Sequence, residues 1–243
     1  MKPASSRLVS IPACTLLLLL LLPLVGLTAG SSPGEIVDAL SLPSTRQALW
    51  LSVWTTTVAL AVMVGLGTPL AWWLSRYQTR LSHLALLLVE LPVVLPPAVM
   101  GIALLETFGR MGLLGPGLSA LGISIPFTAA AVIIAQVLVG TPLYVLTATA
   151  SFEAVEDDQL LVARTLGASA HKAWATVALP AAAGGLITGA GLAWARALGE
   201  FGATLMFAGN LPGRTQTLTL AIYGAMERDM KYRSGASGWR CEI

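Results

Sequence analysis

The 243 residues are 56% hydrophobic and only 11% charged, with a formal net charge of +2. Soluble domains carry about 25% charged residues, so the composition excludes an ordinary water-soluble globule, and the near-neutral balance gives no basis for nucleic-acid binding. Mean hydropathy is +0.78, and the apolar residues fall in long blocks rather than at amphipathic spacing, the pattern of membrane spans.

A helix needs about 20 apolar residues to cross the hydrocarbon core. Segments near 11–29, 50–74, 84–105, 126–149 and 181–208 reach that length. The expected fold is therefore an all-α polytopic bundle of about five spans. Pro69, Pro92, Pro96, Pro97 and Pro142 fall inside these segments and are expected to kink or break them, which packed neighbours in a bundle tolerate.

The first segment has two readings. Lys2 and Arg7 followed by the leucine run 16–22 have the layout of a signal peptide. The apolar stretch from Ile11 to Ala29 is longer than the usual signal core, which favours a retained signal-anchor span, and residues 1–44 are read as that span plus an outer linker. Trp50, Trp54, Trp72, Trp73 and Tyr77 flank the second segment as interfacial anchors. With the N-terminus inside, the cytoplasmic segments hold Lys2, Arg7, Arg76, Arg80, Arg164 and Lys172, and the outer loops hold Arg46, Arg110 and Arg214. That asymmetry supports the orientation.

The inside loop at 150–180 is the longest polar stretch between spans. Leu160, Leu161, Ala163 and Leu166, then Ala170, Trp174 and Val177, recur at three- and four-residue steps. Gly167 separates the halves as a C-cap. Two short amphipathic helices joined at a glycine are expected, either as a stiff elbow for an external motor or as a connector lying on the membrane surface.

In the segment 181–208, Ala181, Gly185, Gly189, Ala193 and Ala197 recur every four residues. Such a face permits close helix approach, within the subunit or against a twin. Arg196 and Glu200 are four apart and can pair. At membrane depth they either flank a path or join helices. Neutral Thr204, Asn210, Thr215, Gln216 and Thr217 suit transient contact with an oxyanion, although Pro212-Gly213 also marks an ordinary turn. Cys14 and Cys241 stand at opposite ends without a CxxC partner, and His83 and His171 are isolated, so neither a disulfide nor a metal site is expected. No phosphate loop, HExxH or GxSxG pattern occurs, so no catalytic residue is assigned.

Leu161-Val162-Ala163, Gly167, Val177 and Leu179-Pro180 resemble the EAA loop of binding-protein-dependent ABC importer permeases, with Leu161 where the family often has Glu and Val162 where it has Ala. Arg164-Thr165-Leu166-Gly167-Ala168-Ser169 and the stretch from Ala195 to Leu218, which includes Gly199-Glu200-Phe201-Gly202, are similar to the molybdate branch. Sulfate permeases look similar only around the latter four. The resemblance covers roughly 45–230.

It implies a permease domain at 45–229. Two copies would line the path, and two cytoplasmic ATPase subunits would grip the loop through Glu153, Asp157, Leu161, Ala163, Arg164, Gly167, Ala168, His171, Leu179 and Pro180. Arg196, Glu200, Gly202, Thr204 and Asn210 would stand at the path or gate. An extracytoplasmic binding protein would deliver molybdate or tungstate, with sulfate as the alternative substrate. ATP and magnesium would sit on the ATPase, leaving this chain without a cofactor in a bacterial or archaeal plasma membrane. An ATPase-independent secondary transporter is the reading from another class. The resemblance also leads one to expect a further span after Tyr223, where the chain has a polar tail from 230 to 243, and hence reduced stability or activity relative to a longer relative.

Overall fold

The computed structural model describes residues 4–29 and 32–236, which form helices and, among the described residues, no strand. The chain packs as two compact units, one up to Arg46 and one from Gln47. The first holds α1 (Ala4–Ala29) and α2 (Pro33–Ser41). Leu16 to Leu22 on α1 are 53–73% exposed, as befits side chains whose solvent is lipid.

α3 (Pro43–Arg76) leads into the second unit. There follow α4 (Arg80–Val94), α5 (Pro97–Phe108), α6 (Gly115–Ala120), α7 (Ala129–Glu153), α8 (Asp157–Thr165) and α9 (Ala170–Ala173). A π-turn, Trp174–Ala178, joins α9 to α10 (Leu179–Leu198), and α11 (Gly202–Ala208) and α12 (Leu218–Ala236) are the last described elements. Among the described residues three helical stretches are long and apolar enough to cross a membrane: Pro43–Arg76, Ala129–Glu153 and Ala170–Leu198. α4 and α5 together pass the same test but are bent by 117°. Within α1 the apolar stretch Pro12–Gly26 is shorter.

Small residues and inward-satisfied hydroxyls build the centre. The hydroxyls of Thr56, Thr68, Thr147 and Ser151 donate to carbonyls four residues back, which meets their bonding need without water. α10 runs antiparallel along α7 at close range. A Cβ on Gly189 would lie 3.1 Å from Thr147, one on Gly140 would lie 3.1 Å from the Ala193 carbonyl, and one on Gly185 would collide with Ser151. The four-residue face from Gly185 to Ala197 is thus spent within the subunit, while Ala181 is exposed.

α3 runs parallel to α7, and the two are pinned at three levels. Gln136 Nε2 donates to Thr56 Oγ1 at 3.2 Å, Tyr144 and Thr68 share a 2.5 Å hydroxyl contact, and Arg76 donates to the end of α7.

Two expected spans are broken. The segment 84–105 folds at Leu95 and Pro96, whose ψ values are both 135°. Each precedes a proline, which pushes it out of the α region, and Pro96 and Pro97 have no N–H to give to a helix. Pro69, Pro92 and Pro142 lie inside continuous helices. The segment 181–208 ends as a helix at Leu198 and restarts at Gly202. Residues 230–236, read from sequence as the start of a polar tail, continue α12. Residues 237–243 lie outside the described residues.

Candidate functional site

The elbow is built by α7, α8 and α9. Asp157 and Asp158 occupy the first turn of α8 and Arg164 its last, matching the helix dipole. Gly167 follows the last turn with φ +88°. Its N–H reaches the Arg164 carbonyl, and that of Ala168 reaches the Ala163 carbonyl at 3.1 Å, a Schellman closure in which glycine takes the left-handed conformation without a Cβ penalty. Ser169 then caps α9, its Oγ accepting from the Lys172 N–H.

The second amphipathic half is not a separate helix. α9 continues through the π-turn into α10 as one stretch, Ala170–Leu198. Pro180 donates no hydrogen bond and its ring would crowd the carbonyl four residues back, and the widened π-turn lies there. Leu179 and Pro180 therefore begin α10 inside this continuous stretch, and the His171 ring lies tilted against Trp174 with centroids 5.8 Å apart. No residue of α8 is buried. Leu161, Val162 and Leu166 are 59%, 58% and 83% exposed, while Ala163 and Ala168 are half-buried and Glu153 is exposed.

One anchor of this elbow lies far from it in sequence. Arg76, in the last turn of α3, donates to Asp157 Oδ1 at 2.5 Å and to the carbonyls of Phe152 and Val155 at 3.1 and 3.0 Å. Its guanidinium sits 4.7 Å above the Trp72 ring, and Trp72 meets buried Phe152 edge-on at 5.3 Å. Read from the sequence, Arg76 is only a cytoplasmic charge; the 81-residue separation from Asp157 leaves no local signal.

The residues expected at a path divide into two groups. Arg196, Glu200, Gly202 and Thr204 come together at the α10–α11 break. Glu200 is buried, its side chain 1% exposed against 36% for Arg196. One carboxylate oxygen accepts from Arg196 at 2.9 Å and the other from the Ala203 N–H at 2.8 Å. Its carbonyl takes the Thr219 hydroxyl at 2.9 Å, which ties the start of α12 to the break. Thr204 is fully buried and, among the described residues, its hydroxyl has no partner. A Cβ on Gly202 would come within 2.9 Å of Pro97 Cβ, so the break before α11 lies beside the break before α5.

Asn210 stands apart, in the turn after Gly209 (φ +71°). Its amide donates to the Leu220 carbonyl and its oxygen accepts from Gln216 at 2.8 Å. Buried Thr215 bridges Gly209 and Leu211, and the Leu218 N–H reaches Ser52.

A family described as the inner membrane component of binding-protein-dependent transport systems matches residues 63–236. The chain belongs to this family. The match runs from within α3 to the end of α12, including the elbow and both breaks, in this multi-pass inner-membrane transport component. It is 43% identical over 217 residues to the molybdenum transport system permease protein ModB of Mycobacterium tuberculosis, covering 89% of this chain and 82% of that one. It is 40% identical to the probable transport system permease protein NifC of Clostridium pasteurianum, over 88% of this chain and 75% of the relative. Similarity to ModB of Escherichia coli K12 is 37%, over 73% of this chain and 78% of that protein.

Proposed function

We propose that this transport component is the membrane-spanning subunit of an ATP-driven importer that carries molybdate, or tungstate, into the cytoplasm. The observation that carries the substrate is the 43% identity, across most of both chains, to a relative named as a molybdenum transport permease. ATP and magnesium belong to a separate cytoplasmic ATPase, a second copy of this chain completes the path, and an extracytoplasmic binding protein delivers the anion.

The elbow suits the ATPase contact. Leu161, Val162 and Leu166 present apolar surface on a helix with no buried residue of its own, and exposed apolar clusters of that kind mark interaction sites. A push on α8 has two rigid exits: through Arg76 into α3, and through the π-turn into α10. At the other end of α10, Arg196, Glu200, Gly202 and Thr204 form the gate, where two broken spans lie side by side and small backbone rotations can open or close a passage. Asn210 braces the turn beyond it.

The test is uptake of radiolabelled molybdate into proteoliposomes holding the permease and its ATPase, with binding protein outside and ATP within. ATP-dependent uptake that excess tungstate suppresses is expected. Equal uptake without the ATPase would assign a secondary transporter instead.

A further inference from the structure

At the end of α7 away from the elbow, roughly 37 Å along this 25-residue helix, two adjoining cavities of about 570 and 550 Å³ share Phe127, Thr128 and Arg214 as walls. Arg110 and Ser124 line the second. Both arginines are exposed, and among the described residues neither guanidinium has an ion-pair partner. Glu106, one turn before Arg110, lines neither cavity.

Phe127, the wedge between the two spaces, has φ +62°. A bulky side chain in that region is strained, and such strain persists where surrounding structure enforces it, often at ligand sites. Its ring lies so close to Gly209 that a Cβ there would come within 3.1 Å. Thr128 is occupied in capping α7, which leaves the Ser124 hydroxyl as the neutral donor beside the arginines.

We infer that the cavity bearing Arg110 and Arg214 is a low-affinity receiving site for a divalent tetrahedral oxyanion on its way from the binding protein into the path. This rests on the transport reading above. The planar guanidinium fork offers paired donors that match oxyanion edges. A concave space of this size falls in the range of small-ligand pockets, about 300–1,000 Å³, and favours an ion over the flat contact of a protein partner. Exposure keeps both guanidinium groups hydrated and screened by salt, so the site captures without trapping.

The experiment uses the permease–ATPase complex in nanodiscs without binding protein, with radiolabelled molybdate as probe in equilibrium dialysis. Wild type binds saturably in the millimolar range and more weakly at high salt. R110Q/R214Q binds at least about ten-fold more weakly, a loss of about 1.4 kcal/mol, and R110K/R214K falls between. With binding protein at limiting anion, the R110Q/R214Q variant lowers kcat/KM for uptake by about the same factor. The inference is overturned by absence of saturable wild-type binding up to tens of millimolar, or by equal binding in R110Q/R214Q. It is also overturned if the substitutions weaken docking of the binding protein and leave anion binding unchanged. If the wild-type complex with binding protein takes up no molybdate, the transport reading itself fails; normal wild-type uptake with unaltered variants removes only the receiving site.

Discussion

Removing the Arg76 guanidinium is expected to uncouple the elbow from the bundle far more than removing its charge partner. Its four contacts, of three kinds, differ in worth. The ion pair to Asp157 involves a carboxylate that is 86% exposed, so it contributes only about 0.2–1 kcal/mol. The bonds to the Phe152 and Val155 carbonyls come from a charged donor whose side chain is 18% exposed, and bonds to charged groups are worth about 1.5–3 kcal/mol each. The cation–π contact with Trp72 adds about 0.5–1 kcal/mol. Because these terms share one side chain and are not additive, R76Q should weaken the elbow's attachment by about 3 kcal/mol, roughly two powers of ten in its opening equilibrium. D157N should shift it by less than about 1 kcal/mol. Hydrogen exchange at the amides of α8 reads the opening, and ATP hydrolysed per molybdate taken up reads the uncoupling. A D157N defect as large as that of R76Q, or an R76Q elbow with wild-type protection, would refute the assignment of the anchor to the carbonyls.

Three further outcomes follow from the same geometry. Gly167→Ala meets open space but a left-handed backbone, so it should cost about 1–2 kcal/mol by conformation alone and raise ATP consumed per anion without releasing the ATPase. Gly202→Ala places a methyl 2.9 Å from Pro97, and such overpacking should cost about 1–3 kcal/mol, lowering Tm in detergent and uptake together, whereas Gly65→Ala, with nothing within 4 Å, should leave both unchanged. Arg196→Ala strands a buried carboxylate and should destabilise by about 3–5 kcal/mol; Glu200→Gln keeps the Ala203 bond and leaves an arginine that is 36% exposed, so its loss of Tm should be clearly smaller.

The elbow was readable in advance because its determinants are local. Spacing at three and four residues, a glycine in the right place and a serine after it specify α8, the Schellman turn and the start of α9. Hydropathy located every apolar block, but averaging over a long window hides an interruption of two or three residues: the break at Gly199–Phe201 was not visible, and the fold at Leu95–Pro96 was marked only as one of several proline positions expected to kink or break a span. Proline alone did not distinguish them either: Pro69 and Pro142 sit in continuous helices, and only the consecutive pair Pro96-Pro97 forces both preceding residues to be extended. The destination of the Gly185–Ala197 face was open because close packing against α7 and against a twin require the same small residues. Arg76 and the Arg110–Arg214 cavity depend on contacts between distant segments, and no periodicity encodes those.

The account depends on α8 facing the cytoplasm as the handle for the ATPase. With Cys14 and Cys241 replaced by serine, a single cysteine at Val162, 58% exposed on α8, can be probed with a membrane-impermeant maleimide. Labelling in inside-out vesicles, and protection there when the ATPase is bound, is the predicted result. Labelling of intact right-side-out cells or spheroplasts would place the elbow on the outer face and contradict the mechanism.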